Sequence, residues 1–535
     1  MFKKLVLIYV LVLFLWFLRF YVGFAENNSS ESTIRVPTNY QTIQEAINAA
    51  SPRDTILVAS GVYEENVVVN KSLRFVGEAV GTTIVDGGGY DWENVTRGFF
   101  VISDNVSIEN FTVRNAFQGI HAENIENITI QNNVLMLNLC GIKLNSSCQA
   151  TIQNNIAMNN TYGIYLENSL NCIIENNTAI NNYGGHPDLR IGGGIIFGKS
   201  NDSKVIDNYI TKNLVGICLG ESCNNTIIQN LVVENREPVY GGGSGIEIGS
   251  SDENIIANNT LTPDCINVID SNRNIIRGNF VQKGGIGTGG GFSNVFCENV
   301  VSGCLIGFTM EKACDFFVGN LIINNTSGIN IHFSNDSTFY HNILINNTVH
   351  VPKDVYSNVN AWDNGFEGNY WSNYTGVDSD HDAVGDTPHV LDELNTDRYP
   401  LMAPINIFDA GTWNDTQQQI HVISNSTVTN FQLNKIQTTL SFNVTGETGL
   451  GFCRITIPNV IIQDMWQDNY TVLINDEEPL WIKNWTDDTN TYIYFTYQHS
   501  ERQVTIIPEF PLNMLLPLLM LATVPFILLK KKLKH

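Results

Sequence analysis

The sequence predicts an all-β fold class: a right-handed single-stranded parallel β-helix of ~22-residue coils, then a small C-terminal antiparallel β-sandwich and one C-terminal transmembrane helix. Three observations carry this. A self-similar unit returns about every 22 residues, longer alternating runs without that period begin near residue 406, and an uncharged apolar stretch stands near the C-terminus.

The unit is seen in Ile128-Thr129-Ile130-Gln131-Asn132, Thr151-Ile152-Gln153-Asn154, Ile173-Ile174-Glu175-Asn176 and Ile227-Ile228-Gln229-Asn230. Taking the second apolar residue as anchor gives Ile108, Ile130, Ile152, Ile174, Ile206, Ile228, Ile256, Ile276, Phe296, Phe317 and Phe339. The steps are 22, 22, 22, 32, 22, 28, 20, 20, 21 and 22. A near-constant period of this size means a solenoid, because each unit buries its apolar edge against the next.

Two residues after the anchors stand Asn110, Asn132, Asn154, Asn176, Asn208, Asn230 and Asn258, then Gly278, Glu298, Gly319 and His341. Asn and Gly tolerate the left-handed backbone, so the column marks a turn repeated on every coil, and stacked Asn side chains can hydrogen-bond along it. Eleven residues after many anchors comes Gly with an apolar residue, as in Gly119-Ile120, Gly141-Ile142, Gly163-Ile164, Gly307-Phe308 and Gly328-Ile329. Strand alternation follows, as in Ile164-Tyr165-Leu166-Glu167. Before the coils, an amphipathic helix with apolar Ile43, Ala46 and Ile47 is expected to cap the open end of the solenoid.

The opening Val36-Pro37-Thr38-Asn39-Tyr40-Gln41-Thr42-Ile43-Gln44-Glu45-Ala46-Ile47, with Gly61-Val62-Tyr63, resembles that of pectin-lyase-like β-helix proteins. The closing segments Gly368-Asn369-Tyr370-Trp371-Ser372-Asn373-Tyr374, Asp378 to Pro388 and Asp397-Arg398-Tyr399-Pro400-Leu401-Met402 are similar to those of NosD-like proteins and their carbohydrate-binding and sugar-hydrolase relatives. The resemblance covers residues 34–403 and implies a surface on which sugars bind. The family name derives from an accessory factor linked to copper, yet the sequence shows no copper signature: no Met or His cluster stands in it.

The ends and the composition set the compartment. Lys3 and Lys4, the apolar run Leu5 to Leu18 and the exit Gly23-Phe24-Ala25 read as a signal peptide over residues 1–25. Residues 405–507 read as a β-sandwich stalk, from alternating runs such as Tyr470 to Ile474 and Thr491 to Tyr497. Residues 508–535 hold Pro508-Glu509-Phe510-Pro511, an apolar stretch from Leu512 to Leu529, and Lys530 to Lys532. That tail resembles the PEF-type sorting tails of archaeal surface proteins and is expected to anchor the chain to the membrane with its bulk outside. More than twenty Asn-x-Ser/Thr sequons fit an extracellular glycoprotein. Ten cysteines without Cys-x-x-Cys spacing signal no zinc or redox site and are expected as small buried residues. The net charge of -24 repels phosphate backbones and argues against nucleic acid.

Asp378, Asp380, Asp382 and Asp386 place carboxylates at alternate positions with Gly385 at the bend, a pattern that suits a structural calcium ion. The two long steps put loops on one side of the solenoid with one ordinary coil between them. The first holds Tyr183, His186, Asp188 and Arg190, the second Arg236, Glu237 and Tyr240. Tyr183, His186, Arg236 and Tyr240 are candidate ligand-binding residues, because aromatic faces and charged groups on such loops suit sugars. Outward positions of the Gly-apolar strand add His121, Lys143, Tyr165, Cys218 and Glu247. A hydrolase would pair Asp188 with Glu237 or Glu247, and a lyase would need a base beside a calcium-bound uronate, with Lys143 or Arg190 as candidate. Three functions follow: non-catalytic binding of polysaccharide or surface glycoprotein, a polysaccharide lyase or glycoside hydrolase acting on uronic-acid glycans, or a structural envelope protein. Scattered carboxylates favour the first.

Overall fold

A computed structural model describes residues 32–89, 95–183, 192–235, 244–353 and 359–509. The chain enters through the strand Thr33–Val36 and a helix over Ile43–Ala49. Thr42 and Glu45 form a capping box that satisfies the first N–H groups of that helix, and Ile43, Ala46 and Ile47 are buried against the first coils. From there the chain winds a right-handed solenoid of about 13 turns. Its walls are three parallel sheets of 14, 14 and 12 strands. Each coil contributes one strand to each, for example Thr129–Gln131, Val134–Met136 and Cys140–Asn145.

The coil geometry rests on buried amides at the corners. Between the first and second sheets, Asn133, Asn155, Asn177, Asn208, Asn230, Asn259, Asn279, Asn299, Asn320, Asn342 and Asn369 stack in one column. Between the two ends, Nδ2 donates to Oδ1 of the next Asn and to a carbonyl, and Oδ1 accepts from the backbone N–H of the Asn one coil before. A second column runs through Asn138, Asn160, Asn182, Asn213 and Asn235 and ends on Asp264. A buried corner without a β ladder would strand these backbone groups, and the amides satisfy them.

This corrects the turn column read from sequence. The left-handed residues are Asn110, Asn132, Asn154, Asn176, Asp207, Gln229, Asn258, Gly278, Glu298, Gly319 and His341, whereas Asn208 and Asn230 belong to the buried ladder beside them. The inward anchors are Val205 and Ile227, paired with Ile174 and Ile256, so the long steps are 31 and 29. In Val205-Ile206 and Ile227-Ile228 two apolar residues stand side by side, so hydrophobicity alone does not say which points inward. The same chemistry accounts for sequons such as Asn176-Asn177-Thr178 and Asn258-Asn259-Thr260. Their first Asn turns the chain, the second joins the ladder and the Thr opens the next strand.

The far end is closed by side chains. Phe296, Phe317, Phe339 and Trp362 form a continuous stack with centroid separations of 4.8, 4.8 and 4.3 Å. Asp397 terminates the long ladder, accepting from Asn369 N at 2.8 Å and Trp371 Nε1 at 2.8 Å. Beyond Ile405 two antiparallel sheets of five and four strands share a second core that includes Ile420, Phe442, Ile455, Phe495 and Ile506.

The transmembrane helix of the expected fold class is corrected. No helix among the described residues is long and apolar enough to cross a membrane. The two helices described, Ile43–Ala49 and Asn459–Trp466, are each about a third of the ~20 residues a span requires. The stretch Leu512 to Leu529 and the signal-peptide residues 1–25 lie outside the described residues. Cys140, Cys172, Cys304 and Cys453 are buried, and no cysteine is paired.

Asn208→Ala removes an acceptor for Asn177 N and a donor to Ile174 O inside the wall. It should destabilise by roughly 2–4 kcal/mol, whereas Asn176→Gly at the exposed left-handed position should stay within about 1 kcal/mol of wild type. Denaturant midpoints of the two variants check this.

Candidate functional site

The third sheet carries cationic, aromatic and acidic side chains on its outward face. Its strands alternate, so Ile142 and Leu144 point inward while Lys143 points out. Parallel register stacks the outward positions Phe100, His121, Lys143, Tyr165, Ile196, Cys218, Glu247 and Asn267 in one column. The glycines that open its strands are required by close backbone approach at the buried corner. A Cβ on Gly119 would sit 2.6 Å from Gly141 O, and one on Gly141 2.6 Å from Gly163 O.

At one end of the column lies a cationic and aromatic cluster. The Arg97 guanidinium carbon stands 4.3 Å above the Phe100 ring. Arg97 Nε donates to Gln118 Oε1 at 3.0 Å and His121 Nδ1 at 3.1 Å. His121 stacks on Phe100 with centroids 5.3 Å apart. It is only 4% exposed, and burial, with Arg97 and Lys143 nearby, holds its pKa down to about 3. The ring is therefore neutral, and because Nδ1 accepts, the proton sits on Nε2, a buried atom without a partner among the described residues. One coil on, Lys143 Nζ pairs with Glu167 Oε2 at 2.8 Å and lies 5.1 Å from the Tyr165 ring centre. Tyr162 stands 5.5 Å from Tyr165.

Further along the same face a groove of about 640 Å³ opens. Its floor is the strand Gly285–Gly289, where Gly285, Gly287 and Gly289 present no side chains, and Asn267, Thr309, Glu311 and Lys312 edge it. A Cβ at Gly287 would sit 2.9 Å from Asn267 Oδ1.

The two long loops join this sheet at Gly193 and Ser244, with the strand Val215–Gly220 between. Tyr183 is exposed beside the first loop. His186, Asp188, Arg190, Arg236, Glu237 and Tyr240 lie outside the described residues. Glu247 and Glu167 lie three coils apart, about 14 Å at ~4.8 Å per strand, beyond the separations that glycosidase pairs use. The face also contains Arg97, Phe100, Tyr162 and Glu167, which the sequence reading passed over. Arg97 and Phe100 come from a coil before the first anchor, where the register is 21 and a step of 22 back from His121 lands on the inward Phe99, so the period alone does not reach them.

A second polar centre sits where the solenoid meets the sandwich. The carboxylate oxygens of Asp378, Asp380 and Asp382 come within 4.8 Å of one another, as a cation site needs, whereas Asp386 accepts from Ser379 N at 2.9 Å. Burial raises the pKa of Asp378 and Asp382. The loop holding them is seated on the sandwich: His381 stacks on Tyr494 with centroids 5.6 Å apart, Lys483 Nζ donates to Asp380 O at 2.5 Å, and Arg454 Nη1 donates to Asp382 O at 3.0 Å. Arg454, 2% exposed, also pairs through Nη2 with Glu367 Oε1. The other oxygen, Oε2, lies 2.6 Å from His341 Nε2. The guanidinium and that hydrogen bond hold the Glu367 carboxyl far below the usual range against the opposing effect of burial. His421, from the strand Thr416–Ser424, stands edge-on to His341 at 5.5 Å.

The profile of the family described as periplasmic copper-binding protein (NosD) matches residues 47–245 and 239–376, more than half of the chain. The chain belongs to the NosD family. A pectinesterase/pectinesterase inhibitor of Arabidopsis thaliana is 38% identical over 96 residues, 14% of this chain and 16% of that protein. The chain thus spans about a sixth of that relative's length. Among solved structures, the catalytic domain of a GH87 α-1,3-glucanase in complex with nigerose aligns with TM-score 0.44 at 12% identity, over 63% of this chain and 70% of that one. PfbA, a surface adhesin of Streptococcus pneumoniae, aligns with TM-score 0.38 at 13% identity, over 56% and 87%.

The family description raises the question of copper. No copper signature is visible in sequence, because His341 and His421 lie in different domains. Folding brings their ring nitrogens and the Glu367 carboxylate within 4.8 Å of one another. Two imidazoles and a carboxylate suit Cu(II) or Zn(II), and the cluster holds no Met or Cys, the ligands that select Cu(I).

His121 is held neutral in the fold while its unfolded counterpart takes a proton below its ordinary pKa of 6.5. Its folded pKa is depressed, so stability rises with pH through 6.5 and falls as pH drops below it, by about 1.4 kcal/mol per pH unit from this group. His121→Phe should flatten the stability profile between pH 6.5 and 4, measured by denaturant midpoints.

Proposed function

We propose that this NosD-family chain is an extracytoplasmic β-helix protein that binds an anionic polysaccharide along the outward face of its third sheet without cleaving it. The observation that carries the reading is the in-register cluster Arg97, Phe100, His121, Lys143, Tyr162 and Tyr165. A chain of net charge -24 concentrates cations beside aromatic rings on one wall. Rings take the apolar faces of sugars, the Arg97 guanidinium takes a uronate carboxylate, and Lys143 takes another by sharing its ammonium with the half-exposed Glu167. The glycine-floored groove lies on the same wall, so a polymer laid along the solenoid axis meets both. The stretch shared with a pectinesterase agrees with a uronate polymer.

Absence of cleavage is the second half of the reading. Among the described residues of this face, Glu167 is engaged by Lys143, and Glu247 is too distant to work with it. Acid–base cleavage needs two free carboxylates at a fixed short separation.

Affinity electrophoresis of the full chain in gels containing polygalacturonate should show retardation that Lys143→Glu reduces at least tenfold. A neutral glucan should retard neither form. Mass spectrometry of the polymer after incubation should show unchanged chain length. Shortened or unsaturated oligosaccharides would establish the lyase or hydrolase reading instead.

A further inference from the structure

The junction between the two domains holds a cavity of about 440 Å³ lined by His341, Glu367, His421, Thr456, Asp487 and Tyr492, among others. His341 comes from the last turns of the solenoid, Glu367 from the coil that closes it, and His421 from the first hairpin of the sandwich. We propose that Nε2 of His341, Oε2 of Glu367 and a ring nitrogen of His421 form a binding site for one divalent transition-metal ion that ties the sandwich to the β-helix. His421 lies outside the residues matched by the family profile, so the site belongs to this two-domain arrangement.

The arrangement already has the supporting parts of such a site. Arg454 binds Oε1 of Glu367, which orients the carboxylate and leaves Oε2 directed at His341. A ligating carboxylate held by an outer hydrogen bond in this way keeps its orientation when the ion arrives. Arg454 would oppose a cation alone, but Glu367, Asp487 and Asp488 border the same cavity, and the three carboxylates outnumber it. The His421 ring stands edge-on to His341 and makes no hydrogen bond among the described residues, so its nitrogen is available. Thr456, the register partner of His421, points a buried hydroxyl without a partner among the described residues at the same place. Three protein ligands leave coordination positions open toward the cavity, where water completes the shell. For the ion to bind, the hydrogen between His341 Nε2 and Glu367 Oε2 has to leave that nitrogen, to Nδ1 of the same ring or to solvent, so that Nε2 presents a lone pair to the metal.

The test uses the full chain stripped with EDTA and then titrated separately with Cu(II) and Zn(II). After gel filtration, elemental mass spectrometry should find one ion per chain for at least one of the two metals. Electron paramagnetic resonance of the Cu(II) form should show coupling to two nitrogens. His421→Gln, which removes no hydrogen bond of the fold, should weaken binding at least tenfold and reduce the coupling to one nitrogen. The metal should raise the melting temperature of the wild type and not that of His421→Gln. The double variant Asp378→Asn/Asp380→Asn should leave all of this unchanged. No retained ion with either metal, or a stoichiometry and spectrum unaltered in both His421→Gln and His341→Gln, would overturn the proposal.

Discussion

Buried amides at the corners are the constraint on which the solenoid depends. A parallel β-helix turns its chain three times per coil, and at each corner the backbone leaves the sheet while staying inside the wall. A side chain that both donates and accepts can replace the missing ladder bonds, and the Asn carboxamide does so with the right reach. In the long column each Oδ1 takes the N–H of the previous coil while Nδ2 passes on to the next, so every coil completes its predecessor. The column therefore requires a terminus that only accepts. Asp264 and Asp397 supply it, and burial pushes Asp397 up to about 6 because its carboxylate is enclosed by the groups it serves.

That ending is what the closing segment of the chain is for. Trp362 and Trp371 extend the aromatic stack, and the indole N–H of Trp371 finds the same Asp397 that stops the amide column. An open solenoid end would expose strand edges and unpaired amides. Here the closing coil covers them and also turns a polar surface toward the sandwich, into which Arg454 reaches across to Glu367 and the Asp382 carbonyl. A buried guanidinium that holds a carboxylate of one domain from a strand of the other fixes the junction by geometry more than by net energy.

Legibility in the sequence followed from period. The helix cap, the coil length and the inward column were readable because apolar residues, Asn and Gly recur at fixed offsets, and Ile43, Ala46 and Ile47 are buried as their spacing requires. Where two apolar residues stand together, as at Val205-Ile206, the offset slipped by one, because facing is decided by the register of neighbouring strands and not by hydrophobicity. The outward column His121, Lys143, Tyr165, Cys218, Glu247 was legible for the same reason. The His341, Glu367 and His421 cluster was not, because a contact between a coil and a hairpin of another domain leaves no periodic trace. The apolar C-terminal stretch was read from composition alone, without the spatial context that a membrane helix requires.

The scaffold also bears on the kind of chemistry its face supports. A solenoid repeats its outward positions at about 4.8 Å along the axis and fixes them laterally, so it multiplies similar contacts along a polymer. Catalysis asks for the reverse: two unlike groups, each with a shifted proton affinity, converging on one bond. On this face burial holds His121 neutral beneath Arg97 and pushes the Tyr165 hydroxyl and the Cys218 thiol up to about 12, and Lys143 is paired with Glu167. Convergence of unlike groups occurs instead at the junction, where the repeat ends and a second domain contributes a histidine that no coil could place there.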